Sequence, residues 1–233
     1  MEPSLADVSY EFIRAKLANG DYSPGRRLVN RALAEQIGVS VIPVREAISR
    51  LVSEGLVEHV RGAGAYVRQV NRQELNNLYV LREALESCAA AEAAQHITED
   101  QLDELDHILD RAKQTAKQIC AQPKERSNRR QLDRWMDDEQ QFHELLIEAS
   151  RNPLLAKVVK DNRAIGSVFE IQRNDPRLLT GDVAKATCES KAELLAALRD
   201  RDAKRAKQLM SDQIQRGRRR FMDFLNQQGC KRS

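Results

Sequence analysis

Apolar positions change rhythm several times across residues 28 to 67, LVNRALAEQIGVSVIPVREAISRLVSEGLVEHVRGAGAYV. Leu33, Ala34 and Ile37 share one helical face, which predicts a first helix with Asn30 as its cap. Gly38 ends it, because glycine adopts left-handed dihedrals at little cost. Val44, Ala47, Ile48 and Leu51 recur at i, i+3, i+4 and i+7, predicting a second helix with one buried face. Ser40 is its expected cap, and Pro43 falls in its first turn, where a missing N–H costs nothing. Gly55 closes the helix. Leu56 to Val60 read as a strand, Arg61-Gly62-Ala63-Gly64 as a tight reversal, and Ala65 to Arg68 as the returning strand.

Beyond residue 70 the period is helical throughout. Asn71 with Glu74 forms a capping box for a helix to about residue 95, with Leu75, Leu78, Leu81, Leu85 and Cys88 or Ala89 as its stripe. Thr98 with Gln101 opens another, carrying Leu102, Leu105, Ile108, Leu109, Ala112 and Ala116. The polar run 122–130 reads as a loop. A third helix from about Arg130 to Ala149 turns Trp135, Phe142, Leu145 and Leu146 inward, and Asn152-Pro153 starts a fourth. NDPRLLTG at 174–181 is a break, followed by helices at about 183–200 and 203–227. The fold class is mainly α: a winged helix-turn-helix over 1–70 and an antiparallel all-helical bundle over 71–233.

A helix-turn-helix places its second helix in the major groove of DNA and touches bases with that helix's first residues. Ser40, Val41, Ile42, Arg45 and Ser49 are expected to face outward there. Arg45 suits the bidentate contact to guanine O6 and N7. Arg31 is placed to reach a base or a phosphate, and Arg61 with Gly62 forms a wing tip able to approach the backbone or the minor groove. Net charge is only +3, so phosphate contacts must add across two half-sites of a dimer rather than come from bulk charge.

Composition narrows the rest. Cys88, Cys120, Cys188 and Cys230 are widely spaced with no C-x-x-C pair, which argues against a zinc ribbon or redox motif. No signal peptide and no apolar run near a membrane span is evident, so a cytoplasmic protein with reduced thiols and no membrane partner is expected. Aromatic content of 4% disfavours single-strand binding by base stacking. No nucleophile–base pair or phosphate loop is evident, so an enzyme, for which a metal-dependent reaction is the remaining form, is not expected. Arg216, Arg218, Arg219 and Arg220 read either as an auxiliary DNA patch or, as such runs more often do, as a solvated helix end.

The runs PGRRL (24–28), LAEQIGVS (33–40), PVREAISRLVSEGLV (43–57) and RGAGAYV (61–67) resemble the DNA-binding domain of the GntR superfamily. The resemblance implies DNA contacts at Arg31, Ser40, Ile42, Pro43, Arg45, Arg61 and Gly62. The family commonly has an arginine directly after the turn serine. Val41 stands there instead, able to touch a thymine methyl but not to read a guanine.

LREALES (81–87), EQQFHELLIEASRNP (139–153) and ELLAALRDRDAKRAKQLM (193–210) resemble the FadR-like branch, whose second domain is the FCD effector domain. Many such domains hold a divalent metal with one carboxylate and three histidines, and the metal helps hold a small carboxylate. Glu139 and His143 match the first two ligands, but Lys191 and Gln213 stand at the positions of the other two histidines. An ammonium has no lone pair and an amide is a weak zinc ligand, so no metal is expected. Were one bound, Glu139 and His143 would hold it, and a rescue would need Cys188. His143 is otherwise a hydrogen-bonded core histidine.

Two readings of these substitutions stand side by side. Lys191 supplies the metal's charge and, with Arg82, binds a carboxylate or phosphate effector among Glu139, His143 and Gln213. Alternatively Lys191 pairs with Glu139 and fills a vestigial cavity. The resulting expectation is a homodimeric regulator of transcription on a palindromic operator, responsive to a small organic acid. Repression is the commoner action in the family. A constitutive DNA-binding regulator with an inert pocket is the alternative.

Overall fold

The computed structural model describes residues 3–18, 21–68, 72–161 and 175–229. The chain divides into two compact units, Met1–Asn71 and Arg72–Ser233.

The first unit runs α1 (Leu5–Ala18), β1 (Arg27–Leu28), α2 (Asn30–Ile37), α3 (Val41–Ser53), β2 (Val57–Val60) and β3 (Gly64–Val67). Its sheet is antiparallel in the order β1-β3-β2, with Arg27 opposite Tyr66 and Val57 opposite Val67. Ile13, Leu33, Val44, Ala47, Ile48, Leu51, Val57 and Val67 form one core, so the pattern read from the sequence is the buried face. α1 and β1 are additions to that pattern. Ser4 and Asp7 cap α1 reciprocally: Ser4 Oγ accepts from the Asp7 N–H at 3.1 Å, and the Asp7 carboxylate accepts from the Ser4 N–H at 3.3 Å.

Two caps differ from expectation. Val29, extended at φ −96°, is the residue before α2, and its carbonyl accepts from Leu33 N. Asn30 is therefore already helical and does not cap. Ser40 does precede α3 in extended conformation, but its side chain makes no capping bond. Gly38, at φ 79°, closes α2 and donates to Ala34 O at 2.9 Å, a left-handed geometry that favours glycine.

The second unit comprises α4 (Arg72–His96), α5 (Glu99–Cys120), α6 (Arg129–Ala149), α7 (Pro153–Asp161), a 3-10 turn (Pro176–Leu178), α8 (Gly181–Arg199) and α9 (Ala203–Gly229). α4 packs on α9 and α6, and α5 on α6 and α8. The Thr98–Gln101 capping box is present with both bonds, and a second joins Asn128 and Gln131. Asn152 caps α7 by accepting from Leu155 N at 3.0 Å, with Pro153 in the first helical position. Asn71 lies outside the described residues. The loop before α6 is pinned to the start of α8: Ser127 N donates to Leu179 O, and Gly181 N to Glu125 O at 2.8 Å.

The buried face of α5 is as expected, but that of α4 agrees only at Leu75 and Ala89. Tyr79, Arg82, Glu86, Ala89 and Ala93 are buried, whereas Leu78, Leu81 and Leu85 are half-buried and Cys88 is exposed. Arg82 Nε donates to Glu86 Oε1 at 2.8 Å, so each charge has its partner one turn away and the pair is accommodated inside.

Candidate functional sites

The first site lies on α3 and the wing. Ser40, Arg45 and Ser49 are exposed, and Ile42 is 67% exposed. Ile42, Arg45 and Ser49, spaced i, i+3 and i+7, share a helix face. Arg45 makes no ion pair among the described residues, whereas Arg50, one turn further on, is held by Asp7 at 3.2 Å and Glu54 at 3.4 Å and covers the Tyr10 ring. Arg31 is exposed at the start of α2, and Arg61 and Gly62 are exposed in the β2–β3 reversal, with Gly62 at φ 78°.

Two residues differ in exposure from the rest of the expected DNA-contacting set. Val41 is half-buried and packs on the core of the unit, and Pro43 is buried among the core-facing residues of α3. The α3 stripe wraps far enough round its first turn to take both, so their side chains do not join the exposed face. Arg27 of β1 was missed by the sequence pattern. Its guanidinium lies against Gly64, where the β2–β3 reversal ends, 3.4 Å from where a Cβ would stand.

The second site is a cavity of about 140 Å³ in the second unit. Trp135, Met136, Glu139 and His143 of α6 form one wall with Tyr79 and Arg82 of α4. Thr187 and Ser190 of α8 and Gln213, Arg216, Arg220 and Phe221 of α9 close the rest. Of the five residues expected here, Arg82, Glu139, His143 and Gln213 line it. Lys191 does not: it is buried behind the wall, 3.5 Å from Glu139 Oε1, with its ammonium 3.5 Å from the Phe142 ring centroid.

The charges form a chain. Glu86 joins Arg82 to His143, whose Nδ1 meets Glu86 Oε2, and His143 Nε2 stands 3.9 Å from Glu139 Oε2. Burial pushes the Glu86 carboxyl up, but Arg82 and His143 outweigh it and hold Glu86 well below the usual carboxylate range. Burial likewise opposes the Arg82 charge, and Glu86 overcomes it. For Lys191 burial wins over Glu139, so its ammonium loses its proton more easily than an exposed lysine.

These donors do not fit a divalent ion. Glu139 faces an ammonium, His143 Nδ1 faces Glu86, and the Cys188 thiol is pushed up to about 11 by burial and then by Glu139. Among the described residues no group of three His, Cys, Asp or Glu side chains is arranged to hold a metal.

Within the arginine run of α9 only Arg219 is exposed, and the other three are half-buried. Arg216 donates to Ser190 Oγ at 2.5 Å and Arg218 to Asn76 Oδ1 at 2.9 Å, while Arg220 is half-buried in the cavity wall. The sequence shows the four-residue spacing of Arg216 and Arg220 but not that the run meets Ser190 of α8 and Asn76 of α4.

Among the described residues no helix is long and apolar enough to cross a membrane. Residues 5–67 match the model of bacterial regulatory proteins of the gntR family, and residues 77–216 match the FCD domain. The transcriptional regulator McbR of Escherichia coli K12 is 35% identical over 102 residues, 44% of this chain and 46% of McbR. The transcriptional repressor RspR of the same organism is 27% identical over 155 residues, 66% of this chain and 63% of its own length. The chain thus spans about half to two thirds of these relatives. The solved structure of E. coli McbR shares the fold with a TM-score of 0.72 at 24% identity, covering 97% of this chain and 99% of that one. The matched models and the relatives describe regulators rather than enzymes, and the chain belongs to the gntR family of bacterial transcriptional regulators, with an FCD domain as its second part.

Proposed function

We propose that this regulator binds a palindromic operator as a homodimer, acts as a repressor, and changes its DNA affinity when a small anion enters the cavity of its second unit. The observation that carries the DNA reading is the exposed Ile42–Arg45–Ser49 face, with an arginine free of carboxylates beside an exposed aliphatic tip. One such helix reads only a few base pairs. A two-fold pair reads two half-sites about one helical turn apart and doubles the phosphate contacts of Arg31 and Arg61. Arg31, Ser40, Arg61 and Gly62 are exposed and stand with Arg45 as the contacting set.

Repression is the simpler action, since a dimer seated on a promoter excludes other proteins without a further contact. RspR, a relative, is named a repressor. Control by an anion is supported by the surplus of cationic groups around the cavity. The ion pairs Arg82–Glu86 and Lys191–Glu139 favour a second reading, a constitutive regulator with an inert cavity, because they satisfy their own charges.

Selection of bound sequences from a random duplex library, followed by fluorescence anisotropy and sedimentation of the complex, tests the proposal. An enriched palindrome bound by two chains is expected. Enrichment of a single, non-repeated site bound by one chain would refute the dimeric reading. A cavity ligand that leaves operator affinity unchanged would favour the constitutive one.

A further inference from the structure

Arg216 and Arg220 lie four residues apart on α9 and both line the cavity. At that spacing their side chains stand one above the other on one helix face. Every other lysine or arginine in or behind the wall faces a carboxylate: Arg82 faces Glu86 at 2.8 Å, and Lys191 faces Glu139 at 3.5 Å. Among the described residues Arg216 has only the neutral Ser190 hydroxyl, and Arg220 has no ion pair or hydrogen bond. Among the described residues four cations thus meet two carboxylates, leaving two positive charges in a partly enclosed space.

Two like charges at such a place are an unfavourable arrangement. Burial, and then Arg216, hold the Arg220 guanidinium below its usual range. An anion between them would cancel the repulsion and use both planar donor forks. A third observation lies on the same face of the helix: Gln213 Oε1 is buried against the cavity without a hydrogen-bond partner, so nothing there fixes the amide against turning its Nε2 donor towards an anion. Leu132, Trp135, Met136 and Phe221 give the cavity an apolar side for a carbon skeleton.

We infer that the cavity binds a small dianion directly, without an intervening metal ion, and that Arg216 and Arg220 are the two groups that neutralise it. The inference rests on the reading of the cavity as the effector site and names its ligand class. Lys191 and Arg82 then serve to hold the wall, each bound to its own carboxylate. A dicarboxylate, with one carboxylate on each guanidinium, and a phosphate monoester, with one phosphoryl group shared between them, have this chemistry in common.

The test is thermal unfolding and calorimetry of the full chain, at constant ionic strength and with chelator present. The probes are phthalate, succinate and phenyl phosphate, set against the monoanion benzoate and the neutral benzamide. At least one dianion should raise the melting temperature and bind about tenfold or more tighter than benzoate, the effect of one additional charge-assisted contact. A response to phthalate or succinate alone identifies a dicarboxylate site, and a response to phenyl phosphate alone a phosphoryl site. Arg216→Gln and Arg220→Gln should each abolish the shift, while Arg218→Gln, which faces Asn76, should keep it.

A second readout separates binding from folding. Because Arg216 repels Arg220, the unliganded Arg220→Gln protein should melt no lower than the parent. A lower melting temperature would mean a structural role and would overturn the assignment. So would absence of any dianion effect, equal binding of benzoate, or a shift retained in either glutamine variant. The effector reading fails separately: a dianion that binds through Arg216 and Arg220 without changing operator affinity would leave this inference standing and refute control by the cavity. A neutral compound that binds and changes operator affinity would do the reverse.

Discussion

Lys191 Nζ stands 3.5 Å from Glu139 Oε1, with 2% of the lysine side chain and 13% of the glutamate side chain exposed. The same ammonium lies over the Phe142 ring, so its charge is held by one carboxylate and one π-face in a nearly dry place. Such a pair adds little net stability compared with apolar residues of the same volume, but breaking it is costly because a buried charge is left uncompensated. Lys191→Met should therefore lose about 3–5 kcal/mol. The double variant Lys191→Met with Glu139→Gln should recover most of that. Urea unfolding of the three proteins checks it. A double variant no more stable than the single would show that the lysine acts through packing rather than through Glu139.

Lys191 also shows where the sequence stops being informative. Its position opposite Glu139 is readable from the family pattern, and the ion pair was one of the two alternatives. Which side of the wall the ammonium takes depends on the packing of α6 against its neighbours, which no local spacing encodes. The α4 stripe has a similar history. Hydrophobic periodicity selects Leu78, Leu81 and Leu85, but the i, i+4 pair Arg82–Glu86 neutralises itself and takes the buried face. By contrast the buried α3 face of Val44, Ala47, Ile48 and Leu51, the Gly38 turn and the wing were legible almost residue by residue, because each is fixed by short-range rules. α1 was not read from the pattern, although the Ser4–Asp7 box ahead of Tyr10 and Ile13 is a short-range signal of the same kind. Arg216 and Arg220 were visible only as charge, since a run of arginines says nothing of what covers it.

The Glu86 carboxylate carries a pH dependence whose sign follows from its surroundings. Burial opposes its charge, but Arg82 and His143 hold the folded-state carboxyl below its ordinary value of 4.5. The unfolded chain thus binds more protons than the folded one in acid. The stability contributed by Glu86 is fully present above pH 4.5 and is lost as pH falls through the folded value. Glu86→Gln should be markedly less stable than the parent at pH 7, with the gap narrowing steadily below pH 4.5. Denaturant unfolding at a series of pH values measures that gap. A gap equally wide at pH 7 and pH 3 would contradict the charge pairing.

Gly181 is required for a different reason. A Cβ there would stand 2.8 Å from Cys120 Sγ and 3.4 Å from Cys120 Cα, at the point where the loop before α6 is bonded to the start of α8. Gly181→Ala should cost about 1–3 kcal/mol by overpacking. Adding Cys120→Ala removes the nearer clash and should return part of that loss, leaving the backbone contact. Thermal melts of the double-variant cycle decide between this crowding and a purely conformational effect, for which the two changes would simply add.

Operator reading should divide among three side chains according to what each can touch. Arg45→Ala should weaken binding to the selected operator by about 1–3 kcal/mol and relax the preference at one base pair, if it makes the bidentate guanine contact. Arg61→Ala in the wing should weaken binding to all sequences alike and reduce the salt slope by about one. Ile42, 67% exposed, offers only methyl and methylene groups, for which the matching feature in the major groove is the thymine 5-methyl. Ile42→Ala should lose about 1 kcal/mol, close to the value of a buried methylene, on an operator carrying thymine at that position. Replacing that thymine by deoxyuridine should cost the parent protein a similar amount and the Ile42→Ala protein almost nothing. Anisotropy titrations with the four protein–DNA combinations measure the coupling directly. An equal loss in both proteins would mean that Ile42 does not read the methyl, and that the exposed tip of α3 faces the sugar–phosphate backbone instead.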